Sequence, residues 1–327
     1  MCRGRRLLGN LHFRPGSGCL ARLPPADHGL GFSRPLTPFA LLVVVACALA
    51  WSGFDWARKA LVERIAPTPL MLLLTAGQAV LFAGWAVLGG GELAVGEGYW
   101  APALGSVALN VVANLAFIHA FRVAPISLTI PLLSLTPVAT ALFAVPLLGQ
   151  LPTPAQAAGI GLVVAGAFLL HLRPREGVSL AAMARALARD RGARLMLVVV
   201  LCWSLTPPLD GLALQAATPA VHGLVLCAGV AAAVLALLAA RGRVGEARQV
   251  TRAPWTYLLA IAVSVGGLAL QLYAYQLVAV ALVETLKRGM GNAMALVWGR
   301  FVFAERVGAA QVAAVALMAA GVGLILW

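Results

Sequence analysis

The chain has 327 residues, of which 61% are apolar and only 11% charged, and its mean hydropathy is +0.93. An ordinary globular domain carries about 25% charged residues, so these proportions exclude a soluble reading and point to a polytopic membrane protein. The formal net charge of +13 is almost wholly arginine, and it falls between apolar runs instead of on an aromatic-studded basic face, which argues against nucleic acid as a partner.

Residues 1–36 hold six arginines and four prolines with little periodicity. They lack the apolar core and cleavage site of a signal peptide, and are expected to be a disordered tail or the product of an over-long start-site assignment. Beyond them, a bilayer core of about 30 Å requires roughly 20 helical residues per crossing. The chain is uncharged over 36–54, 65–91, 98–121, 123–172, 195–209, 211–240, 253–283 and 307–327. The 123–172 run accommodates two helices with a break at 149–154, and 195–240 holds two that turn near Thr218-Pro219. One further helix continues through Glu284, Lys287 and Arg288 towards Phe303. The predicted fold is therefore all-α and membrane-integral, with ten transmembrane helices.

The two halves align at an offset of 155 residues: Val123-Ala124 on Val278-Ala279, Gln156 on Gln311, Ala158 on Ala313, Ala165-Gly166 on Ala320-Gly321, Leu169 on Leu324 and Asp55 on Asp210. Five helices per half is an odd number, so the second half must enter the membrane upside down. Inverted repeats of that kind characterise secondary transporters. The expected organisation is a first repeat over 37–172, a linker over 173–194 and a second repeat over 195–327. In the linker, Leu180, Met183, Ala184 and Leu187 fall at helical spacing, consistent either with an amphipathic surface helix or with a plain solvated connection.

Arginine is concentrated in the loops after odd-numbered helices, which by the positive-inside rule places those loops in the cytoplasm and both termini outside. The expected location is the cell (inner) membrane.

Charged groups at membrane depth cost roughly 2.5–3.5 kcal/mol on translocon scales and are functional candidates by default. Glu284, Lys287 and Arg288 can share one helix face, where they could form a site for an anionic or carboxylate-bearing substrate, a salt bridge to another helix, or an interfacial cluster. Asp55 and Asp210, near the ends of helices one and six, are candidates for ion coupling or for pairing with those bases; Asp55, followed by Arg58 and Lys59, also reads as a surface ion pair. Asn110 with Asn114, and Gln271 with Tyr275, each lie one turn apart and would serve as cavity lining or as interhelical glue. Trp51, Trp203 and Asn292 complete the candidate substrate-binding set.

Pro125, Pro131, Pro137 and Pro146 predict a bent helix four. Ala157, Gly161 and Ala165, with Ala316 and Ala320, follow small-xxx-small spacing and predict close packing of helices five and ten, within the chain or in a homodimer.

The segment Leu133-Ser134-Leu135-Thr136-Pro137-Val138, the run to Leu148-Gly149-Gln150, Gln156 and Ala165-Gly166 resemble the EamA repeat of the drug/metabolite transporter superfamily. In the second half Gly299, Phe303-Ala304-Glu305, Gln311 and Ala320-Gly321 resemble the same pattern, and Trp51-Ser52 and Trp203-Ser204 are similar to its opening signature. The resemblance spans about residues 37–327. It departs from the family pattern at Gln150, where an acid is usual, and at Lys287-Arg288, where many members are apolar. It implies a ten-helix carrier of a small metabolite or drug with a central cavity lined by the first, third and fourth helices of each half.

There is no G-x-x-x-x-G-K-[ST] phosphate loop, which disfavours direct ATP hydrolysis. The rival classes are an integral-membrane enzyme acting on lipid and a non-transporting scaffold. The sequence supplies neither with a catalytic or metal-binding cluster: His12 and His28 lie in the tail, His171 at a helix end, and His119 and His222 have no acid nearby in sequence. The five scattered cysteines form no C-x-x-C pair. No cofactor is expected; the partners are a small-molecule substrate and the lipid bilayer.

Overall fold

A computed structural model describes residues 37–91, 93–123, 130–171, 190–301 and 308–326. Among these residues the chain forms ten α-helices: α1 (Pro38–Val62), α2 (Pro67–Leu88), α3 (Trp100–Val123), α4 (Thr136–Leu148), α5 (Pro154–His171), α6 (Arg191–Ala213), α7 (Pro219–Ala240), α8 (Pro254–Leu277), α9 (Val280–Phe301) and α10 (Ala309–Leu326). Seven of them (α1, α2, α3, α6, α7, α8 and α10) contain a stretch long and apolar enough to cross a membrane. The apolar stretches of α4 and α5, Leu132–Leu148 and Pro154–Leu170, are shorter, and α9 carries the internal charges. The tail 1–36 and the expected linker helix lie outside the described residues.

Local chemistry sets the helix starts. Proline opens α1, α2, α5, α7 and α8, where its missing N–H is one the helix would leave unpaired in any case. Thr37, Asp190 and Thr218 cap α1, α6 and α7 by accepting from Ala40 N (3.1 Å), Ala193 N (2.8 Å) and Val221 N (3.3 Å). The second half thus begins at Arg191, within the stretch expected as linker. Charge marked helix ends poorly at α1, which continues past Asp55 and Arg58 to Val62.

Helix four is shorter than expected. Instead of one bent α-helix, the proline-rich segment gives a 3-10 stretch, Ile130–Leu135, followed by the thirteen residues of α4 with Pro146 inside and Gly149 ending it in left-handed geometry (φ 65°). Pro125 lies outside the described residues.

Helix pairing follows a pattern that survives exchange of the halves. The most extensive contacts join α5 to α10 and α3 to α6; α5 with α10, and α2 with α7, hold the same place in each half. α1 packs on α8 and α3 on α6; α1 packs on α9 and α6 on α4; and α4 meets α9. The α5–α10 contact is close because of glycine, though not the residues expected. A Cβ at Gly159 would lie 2.6 Å from Gly321 O, and one at Gly166 would lie 2.7 Å from Ala314 O. The predicted stripe of Ala157, Gly161, Ala165, Ala316 and Ala320 faces outward instead and is exposed.

Candidate functional site

Only two residues separate α8 from α9, and polar side chains of the two helices meet on either side of this turn. The Tyr275 hydroxyl donates to Glu284 Oε1 (2.6 Å). Lys287 Nζ donates to the same oxygen (2.6 Å) and to Gln271 Oε1 (2.7 Å). The Lys287 and Glu284 side chains are 20% and 12% exposed, so the pair is largely removed from solvent. From α1, the Trp51 ring sits 5.5 Å from the Lys287 ammonium, in cation–π range. From α4, Thr136 Oγ1 accepts from Arg288 (3.2 Å). Helices of both halves therefore converge on one cluster.

One carboxylate faces two cations in this cluster, which leaves a positive excess. Two buried groups close the inventory: Trp51 Nε1 and Thr140 Oγ1, one turn beyond Thr136, have no hydrogen-bond partner among the described residues. Buried polar groups are nearly always bonded, which sets these two apart.

Other sequence candidates go elsewhere. Asn110 and Asn114 donate to backbone oxygens one turn earlier, Ser106 O (3.1 Å) and Asn110 O (2.7 Å), within α3. Trp203 stacks against Phe117 at 5.3 Å, and Asn292 approaches Met318 Sδ at 3.9 Å. Asp55 is exposed and bonded to Arg58 at 2.8 Å. Asp210 is buried at 2% exposure, so the two aspartates placed in correspondence by sequence have unlike surroundings. Gln150 accepts from Val280 N (3.1 Å), the first N–H of α9, and so caps the helix that carries the charges.

Sequence reasoning missed Thr136 and a second polar group. His222 Nε2 lies 3.1 Å from Asp210 Oδ1, the Tyr99 hydroxyl lies 3.2 Å from His222 Nδ1, and Ser106 donates to Asp210. In the sequence His222 has no neighbouring acid. The available signal was the hairpin: Asp210 is in the last turn of α6 and His222 in the first turn of α7, so the short turn between them brings the two side chains to the same depth. Among the described residues no group of three or more His, Cys, Asp or Glu could hold a metal ion, and Cys47, Cys202 and Cys227 are buried free thiols.

Helices long and apolar enough to span a bilayer make this a multi-pass membrane protein. Residues 38–172 match the EamA-like transporter family, within the drug/metabolite transporter superfamily; the matched stretch is the first five helices. Members of that family are transporters. Solved structures show the same fold: one, described only as "Crystal structure of protein", superposes with a TM-score of 0.68 at 17% identity, covering 88% of this chain and 96% of its own. No curated protein matches the sequence.

Proposed function

We propose that the protein is a secondary carrier that moves a small metabolite or drug, by alternating access, through a central cavity between two inverted five-helix repeats. All ten helices cross the membrane in this reading, with α4 and its 3-10 lead-in, α5 and α9 completing the seven longer apolar spans. The observation that carries the proposal is the convergence of Trp51 (α1), Thr136 (α4), Gln271 and Tyr275 (α8), and Glu284, Lys287 and Arg288 (α9) on one site. The exchange-symmetric helix pairing supports it, because two equivalent half-structures around a common site are what rocking requires.

The positive excess of the cluster and the unpaired Trp51 and Thr140 donors favour a substrate with a carboxylate or other anionic group. Lys287 supplies a point charge and Arg288 a planar fork. Glu284 holds Lys287 in place until the substrate competes for it. The carrier lies in the cell (inner) membrane with the arginine-rich loops in the cytoplasm. A homodimer would form on the outward small-residue stripes of α5 and α10.

The test is uptake into proteoliposomes of purified protein, screening organic anions, amino acids and amine drugs with and without a proton gradient. Saturable uptake of a carboxylate is the expected result. Turnover of lipid with no transport of any class would overturn the proposal.

A further inference from the structure

The Tyr99–His222–Asp210–Ser106 group plays no part in the cluster just described. Its four members are 0%, 0%, 2% and 0% exposed, and they come from three elements: the lead-in to α3 and α3 itself, α6 and α7. Burying an ionised carboxylate away from water is costly unless it is paired and hydrogen-bonded. Structural packing alone would be served more cheaply by apolar side chains of similar size.

The hydrogen-bond directions are consistent in two protonation states. With His222 neutral, the Tyr99 hydroxyl donates to Nδ1 and Nε2–H donates to Asp210; the site then carries one negative charge. With a proton added at Nδ1, the imidazolium donates from both nitrogens, the Tyr99 oxygen becomes an acceptor, and the site is neutral. Between the states the heavy atoms stay in place and the Tyr99 hydroxyl hydrogen turns away from Nδ1. Ser106 donates to Asp210 in both.

The placement suits entry from one membrane face. His222 is three residues from the start of α7 and Asp210 three from the end of α6, so both lie roughly 5 Å inside their helix ends at 1.5 Å per residue. Gly96 N donates to Ala216 O (2.7 Å), which docks the α2–α3 loop on the α6–α7 turn directly above. Inward, α6 packs against α8, the helix that carries Tyr275, and Tyr275 is bonded to Glu284. The groups facing Asp210 and His222 from neighbouring elements are Tyr99 and Ser106 from α3, and Tyr275 from α8 with Glu284 and Lys287 of α9 behind it; α4, also packed on α6, has no titratable residue.

We propose that Tyr99, His222, Asp210 and Ser106 form a proton-binding site whose occupancy, transmitted through Tyr275 to Glu284, couples a proton gradient to movement of the substrate. The coupling rests on the carrier reading above; proton binding does not.

Two measurements separate these claims. In full-length, detergent-solubilised protein carrying [15N]histidine, the His222 ring signals are assigned by their loss in His222→Gln. They are expected to change with pH, and to do so differently in Asp210→Asn. PH-independent His222 signals, or an unaltered titration in a monodisperse Asp210→Asn protein, would overturn the proton site. In proteoliposomes, with malate, glutamate and ethidium as probes, the ratio of pH-gradient-driven uptake to exchange is expected to fall about tenfold in both variants, within the usual range of coupling energies. A wild-type ratio in both variants would overturn the coupling. Transport of none of the probes by the wild type would count against carrier and coupling together, while the resonance measurement decides the proton site independently.

Discussion

At Lys287 one ammonium is divided among Glu284, Gln271 and the Trp51 ring. Shared partners make such residues non-additive. In a cycle of Glu284→Gln, Lys287→Met and the double variant, thermal unfolding in detergent is expected to give a coupling of about 0.5–3 kcal/mol, the span usual for side chains in contact. Additive losses would show that the bond contributes nothing to the fold. Tyr275→Phe removes one donor from Glu284 and is expected to lower stability by about 1 kcal/mol, the net worth of a typical hydrogen bond, in the same unfolding measurement. A smaller effect would mean that Lys287 alone holds the carboxylate.

Helix packing separates two kinds of glycine that look alike in sequence. Gly159→Leu must push α5 from α10, since even a Cβ would meet the Gly321 carbonyl at 2.6 Å; overpacking of this kind is expected to cost about 1–3 kcal/mol or more. A Cβ at Gly161 would meet nothing within 4 Å, so Gly161→Leu should leave the melting temperature unchanged and, in the proposed homodimer, reduce the dimer fraction on size exclusion. Equal melting losses in both variants would contradict this division. The spacing of small residues announced that α5 and α10 pack closely. It could not give the face, because glycine and alanine recur on both sides of each helix and a register shift of two residues exchanges them. The ten helices of the described residues were legible as apolar runs, although only seven of them are long and apolar enough to cross a membrane. The Glu284, Lys287 and Arg288 group was legible because charge is rare there. Thr136 and His222 were not, since a threonine in an apolar helix carries no distinguishing signal and the partner of His222 is supplied by a hairpin, not by the adjacent sequence.

Across the whole molecule, exchange of the two halves leaves the main helix contacts in place although the sequences have diverged: Asp55 is exposed on Arg58 while Asp210 is enclosed by His222 and Ser106. A pseudo-symmetric frame with one-sided chemistry is what the proposed carrier and its proposed coupling site require. The proposed topology predicts that, in a background with the native cysteines replaced by serine, Glu97→Cys reacts with an impermeant maleimide from outside and Glu246→Cys from the cytoplasmic side. Labelling of both from the same side would contradict the topology. The central claim is that the charges on α9 handle the substrate. Its most direct test is uptake in proteoliposomes of a carboxylate carried by the wild type, compared with Lys287→Ala and Arg288→Ala at matched reconstitution. The account predicts a fall of about tenfold or more in each, the loss of roughly 1.4 kcal/mol of substrate interaction, with both proteins inserted and monodisperse; wild-type uptake in both variants would contradict it.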